Sequence, residues 1–204
     1  FPSKTYMGSR RPVFVWDVDK TYLETRFSQL KGLAQIPFEF GIDKRAVAGT
    51  PELLQALRRG PGGVLRPLHF VSASPYQLAD ALARKLLLDG VEWDGVTFKN
   101  PLRLLVTGHP SQLREQVGFK LTALLLLAKE LPAGATLHLF GDDVEHDPRA
   151  FALAADVIAG RTRGPALGEV LRGIGVHGDY VDGIRQLADE VVPREAVERL
   201  WIRL

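Results

Sequence analysis

The chain has 204 residues, 26 of them basic and 24 acidic, for a formal net charge of +2, and 46% of its side chains are apolar. That suits one globular domain, or one with a modest extension, and excludes a disordered chain. The charge is too evenly balanced to signal a nucleic-acid partner, and a chain without cysteine has no disulfide, thiolate nucleophile or cysteine-based zinc site.

Pro12-Val-Phe-Val-Trp16 is a short apolar run with the bounds of a buried strand. Thr50-Pro51-Glu52 opens a helix through Arg58, with Thr50 as N-cap and proline at the first helical position. A second strand is expected over Pro67–Val71. Ser74-Pro75 then opens a helix over Tyr76–Leu88 that Gly90 ends. Gly95–Phe98 reads as a third strand. A strongly apolar helix runs from about Lys120 to Leu131 and stops before Pro132. Its most apolar run, Leu121–Ala128, falls far short of the roughly 18–20 residues of a membrane span. Ala135–Phe140 is the fourth strand, and Asp147-Pro148 starts a helix to about Ile158. Beyond residue 160 the pattern predicts three helices: Ala166–Arg172, Asp182–Val191 and Pro193–Leu204.

Strands alternating with helices predict an α/β fold, a doubly wound (Rossmann-like) parallel sheet. The core is expected over residues 1–160, with residues 161–204 as a helical C-terminal extension packed on it. Ligands of such sheets sit beyond the carboxyl ends of the strands. There the first strand is followed by Asp17-Val-Asp19-Lys-Thr21 and the second by Ser72-Ala73-Ser74. The fourth is followed by Gly141-Asp142-Asp143, with Glu145 and Asp147 beyond, and Lys120 lies in the apolar helix between. Each segment alone is an ordinary turn or cap. Together they bring five or six carboxylates to one end of one sheet, where they repel unless a cation sits among them.

That set suits phosphoryl chemistry. A carboxylate, Asp17, can attack phosphorus and form an aspartyl-phosphate. Asp19, two residues on along an extended segment and so on the same side, can protonate the leaving oxygen and later activate water. Magnesium prefers oxygen ligands and would relieve the repulsion between Asp17 and the phosphate. Ser72, Ala73 and Ser74 can bind phosphate oxygens through a hydroxyl and helix-start amides, and Lys120 supplies a fixed positive charge. Among the remaining candidates, His69 and His138 lie within strands and read as structural. His146 lies in the acidic loop and reads equally as a pocket or a surface residue. Trp16 is expected to pack the sheet, Trp201 to be a core or helix-packing residue, Thr21 to fix the loop, and Arg149 and Arg161 to be solvated.

In this order, Asp17-Val-Asp-Lys-Thr21, Ser72, Lys120 and Gly141-Asp142-x4-Asp147 resemble the four motifs of the haloacid dehalogenase superfamily over about residues 12–160. The resemblance implies a magnesium-dependent phosphomonoester hydrolase with Asp17 as nucleophile and Asp19 as acid and base. It implies magnesium held by Asp17, the Asp19 carbonyl and Asp142. Spacing favours Asp147 over Asp143 as the second acidic group, with Asp143 as an outer ligand. Three longer stretches, Val47–Leu54, His69–Leu78 and Gly141–Pro148, resemble the catalytic domain of actin-patch-type phosphatidate phosphatases. Lys20 stands where that family usually has Asp, and Gly-Asp-Asp-Val where it usually has Gly-Asp-Ser-Gly.

Superfamily members acting on small metabolites often carry a cap domain. Here 50 residues lie between Thr21 and Ser72 and 47 between Ser72 and Lys120, too few for a full α/β cap beside the elements they supply. A minimal or absent cap implies an open site and a bulky substrate such as phosphatidate at a membrane surface, hence a cytoplasmic or peripheral-membrane location. The same chemistry serves a phosphatase of soluble metabolites or nucleic-acid ends. A non-catalytic domain that binds phosphorylated ligands or a protein is a third reading, disfavoured because every group the chemistry needs is present.

Overall fold

The computed structural model describes residues 11–24, 45–99, 112–144, 146–176 and 178–204. Its strands are β1 (Arg11–Asp17), β2 (Leu68–Pro75), β3 (Gly95–Lys99), β4 (Ala135–Asp142) and β5 (Val197–Arg203). They form one all-parallel sheet in the order β3-β2-β1-β4-β5. The helices are α1 (Thr50–Arg58), α2 (Ala79–Leu88), α3 (Gln112–Glu130), α4 (Asp147–Ile158), α5 (Gly164–Gly173) and α6 (Asp179–Glu190). This is the doubly wound α/β arrangement that the sequence predicts.

Central β1 is apolar almost throughout because both its faces are covered. Alternation along the strands divides the core. Val13, Val15, Leu137 and Leu139 pack with Leu121, Leu124 and Leu125 of α3 and Ala150, Phe151 and Ala154 of α4. Phe14, Trp16 and Phe70 point the other way, onto Leu54 of α1 and Leu82 and Leu86 of α2. The register sets Asp17 beside Val71 and Trp16 beside Phe140, so Ser72 and Asp142 lie at the same sheet edge as Asp17.

Several helix starts differ from expectation. Gly49, in the left-handed region at φ 81°, is the N-cap of α1, not Thr50. β2 runs on through Pro75, and a single 3-10 turn over Tyr76–Leu78 precedes α2. Ser74 caps no helix; its hydroxyl turns to Asp19. α3 begins earlier than expected, at Gln112, and Gly90 ends the α2 segment at φ 67° as expected.

The largest correction concerns Pro193–Leu204, which is not a helix but carries β5. Val197, Leu200, Trp201 and Leu204 follow the i, i+3, i+4, i+7 spacing of an amphipathic helix. The backbone instead pairs with β4, and Trp201 stacks on Phe140 with ring centres 5.9 Å apart. Phe140 stacks in turn on Trp16 at 4.0 Å, so an aromatic row crosses three strands. Trp201, half exposed, therefore packs a sheet edge and is neither a core nor a helix-packing residue. α5 and α6 bury Leu167, Leu171, Val181, Ile184 and Ala188 in the α3–α4 layer, which commits them to the core. No described helix is long and apolar enough to cross a membrane. Residues 25–44 and 100–111, on which the absence of a cap partly turns, lie outside the described residues, as does Glu145.

Candidate active site

Among the described residues, the buried charged side chains are Asp17, Asp19, Lys120, Asp142 and Asp147. Burying charge is costly unless it is paired. Here it is concentrated at one end of the sheet, with four carboxylates against one ammonium.

Lys120 is the hub. In the middle of α3 its side chain is 1% exposed, with Nζ 2.8 Å from Asp17 Oδ1 and in a close ion pair with Asp147 Oδ1. Burial alone would lower its pKa, but Asp17 and Asp147 outweigh burial and hold the ammonium above its ordinary value. Burial pushes the Asp147 carboxyl up, against the pull of Lys120 and of the Asp142 amide. That amide donates to Asp147 Oδ2 at 3.1 Å, while Asp142 Oδ1 accepts the Val144 N–H at 2.6 Å. Asp17, Asp142 and Asp147 each offer an oxygen within 4.8 Å of the others. Asp143 is exposed and stands outside this group.

The chain leaves the strand after Asp17, so strand alternation does not govern Asp19. The N–H groups of Tyr22 and Leu23 both donate to the Val18 carbonyl, and Lys20, at φ 61°, closes the turn through its N–H to the Leu23 carbonyl. Thr21 donates its hydroxyl to Asp17 at 3.3 Å, fixing the loop as expected. Asp19 turns to β2 and accepts the Ser74 hydroxyl at 2.6 Å, with the Ser72 hydroxyl at 3.4 Å. Ser72 also accepts the Ser74 N–H at 3.1 Å, with Ala73 partly exposed between them. The expected residues thus form two groups, a lysine-centred one on β1, α3, β4 and the start of α4 and a serine-centred one around Asp19.

Beside Asp19 lies a small cleft, with room for little more than a water molecule, lined mostly by apolar side chains such as Leu82 and Phe98, with Lys85 at its wall. Sequence reasoning did not single out Lys85 or Phe98, because neither follows an apolar strand as a polar motif does. Burial holds His69 and His138 below the ordinary imidazole value, in keeping with structural roles. His146 serves as the backbone N-cap of α4. Arg149 is exposed, and Arg161 pairs with Asp156 and Glu195 at the surface.

A family profile described as "Phosphatidate phosphatase APP1, catalytic domain" matches residues 13–164. The chain belongs to this family. Every residue of the two groups lies inside the matched stretch, whereas α6 and β5 lie beyond it. No curated protein and no solved structure matches the chain.

One glycine of this phosphatidate phosphatase catalytic domain is held by close approach. A Cβ on Gly141 would lie 2.6 Å from the Asp147 Cβ and 2.7 Å from its Cγ. Gly141→Ala is therefore expected to displace the Asp147 carboxylate from Lys120. Overpacking of this kind costs about 1–3 kcal/mol. A urea titration and kcat on a chromogenic phosphate should show that loss together with at least a tenfold fall in turnover.

Proposed function

We propose that the chain is a magnesium-dependent phosphatidate phosphatase of the haloacid dehalogenase type, working through an aspartyl-phosphate on Asp17. The observation that carries this reading is the concentration of buried charge, with Asp17, Asp142 and Asp147 around Lys120, in a chain of the phosphatidate phosphatase family. In the first step an Asp17 carboxylate oxygen attacks phosphorus as the bond to the leaving oxygen breaks, and protonated Asp19 gives that oxygen its proton. In the second, Asp19, now ionised, takes a proton from water as the water attacks the aspartyl-phosphate, releasing phosphate and free Asp17. Lys120 holds Asp17 and offsets charge on the phosphoryl group. Ser72, Ala73 and Ser74 line the phosphate's approach, and the Ser74 hydroxyl orients Asp19.

The donor set fits magnesium, since it is all oxygen and carries more negative charge than Lys120 balances. Asp17, Asp142 and the Asp19 carbonyl would hold the ion, with Asp147 orienting Lys120 and the Asp142 amide and Asp143 outside. Bound there, magnesium supplies the charge that lets an anionic carboxylate approach an anionic phosphate. Activity is expected to vanish in excess chelator and to return with magnesium. Turnover undiminished by chelation contradicts the metal role.

Membership of the phosphatidate phosphatase family supports a bulky lipid leaving group presented at a membrane surface. The expected result is a kcat/KM at least tenfold higher on phosphatidate in mixed micelles than on glycerol phosphate or sugar phosphates. A preference for the small substrates points instead to a soluble-metabolite phosphatase.

A further inference from the structure

We propose that Arg203, on the last strand and beyond the stretch that the family profile matches, is a positioning residue that fixes the nucleophile loop. The inference rests on the hydrolytic reading of the site. Arg203 stands beside Asp142 in the β4–β5 register, and its carbonyl accepts the Asp143 N–H at 3.2 Å. Its guanidinium Nη1 donates to the Lys20 carbonyl at 2.6 Å, across 183 residues of sequence. One residue therefore joins the loop that follows Asp17 and carries Asp19 to the loop between Asp142 and Asp147.

The nucleophile loop needs such a tie. Lys20 adopts φ 61°, a left-handed backbone that a residue with a Cβ seldom takes unless its surroundings hold it there. The carbonyl and the following N–H of a trans peptide point in opposite directions. Holding the Lys20 carbonyl on Arg203 therefore sets which way the Thr21 amide faces. Thr21 in turn gives its hydroxyl to Asp17. A hydrogen bond from a charged donor is stronger than one between neutral groups. The donor also sits on a strand anchored by the Trp16–Phe140–Trp201 stack, a firmer base than a loop.

The test compares the full chain with Arg203→Ala and Arg203→Lys. Amide hydrogen exchange over Val18–Leu23 is read by mass spectrometry, and kcat and KM are measured on phosphatidate in mixed micelles with magnesium. Arg203→Ala is expected to speed exchange in that segment about fivefold or more, and to lower kcat about tenfold with KM within twofold. Arg203→Lys, which keeps a cationic donor, should recover at least half of the lost kcat. Unchanged exchange in Arg203→Ala overturns the positioning role. So does a rise in KM at constant kcat, which would make Arg203 a substrate contact. Exchange needs no turnover, so a wild-type chain inactive on every phosphomonoester would sink the hydrolytic reading while exchange still decided whether Arg203 holds the loop.

Discussion

Asp17→Asn is expected to abolish phosphatase turnover while leaving the fold intact. The amide has the shape of the carboxylate but cannot attack phosphorus, so the loss should be roughly 10^4-fold or more, the scale seen when a covalent nucleophile is removed. Stability should hold or rise, because the site buries four carboxylates against one ammonium and the change removes one surplus negative charge. Lys120 keeps its ion pair with Asp147 in the variant. Thermal unfolding and kcat measured on one preparation check both halves. A variant that retains wild-type turnover on any substrate the protein hydrolyses would exclude Asp17 as the nucleophile.

Lys120→Met should damage stability and activity together. Lys120 is 1% exposed and pairs with two carboxylates that are themselves buried, so its removal takes the ammonium from both Asp17 and Asp147. Removing one partner of a buried pair typically costs about 3–5 kcal/mol. The expected fall in kcat is at least about 100-fold, as when a fixed charge at a developing anion is lost. Urea unfolding at fixed magnesium reads the first effect and single-turnover kinetics the second. A variant as stable as the wild type would mean that Lys120 does not compensate the acidic cluster.

Much of this site is legible in the sequence because its residues stand directly after apolar strands. Asp17, Ser72 and Asp142 are fixed in space once β1, β2 and β4 are paired in parallel, and a parallel sheet follows from strands alternating with helices. Asp147 is legible by its spacing from Asp142, whereas its burial against Gly141 needs the close packing of the start of α4 on the end of β4. Ser74 is a different case. As a serine before proline it has the form of a helix cap, yet the strand continues past it and its hydroxyl goes to Asp19. Local patterns do not show which of two polar partners a hydroxyl takes.

β5 hides for another reason. An edge strand exposes most of its side chains, so the inward–outward alternation that marks a strand is absent from Val197–Arg203. Its apolar residues fall by chance on helical spacing, and only pairing with β4 and stacking on Phe140 show what they do. Arg203 is invisible for the same cause, since its partner Lys20 is 183 residues away.

The covalent intermediate on Asp17 is the centre of the mechanism, and trapping it is the most direct measurement. The wild-type chain and Asp17→Asn would be mixed with phosphatidate and magnesium, quenched in acid during turnover and treated with borohydride. Borohydride reduces an acyl-phosphate on aspartate to homoserine, and peptide mass spectrometry then reads the position. The account predicts homoserine at position 17 in the wild type alone, and none without magnesium. Turnover that leaves position 17 unmodified under every quench, or that places the modification on another carboxylate, contradicts it.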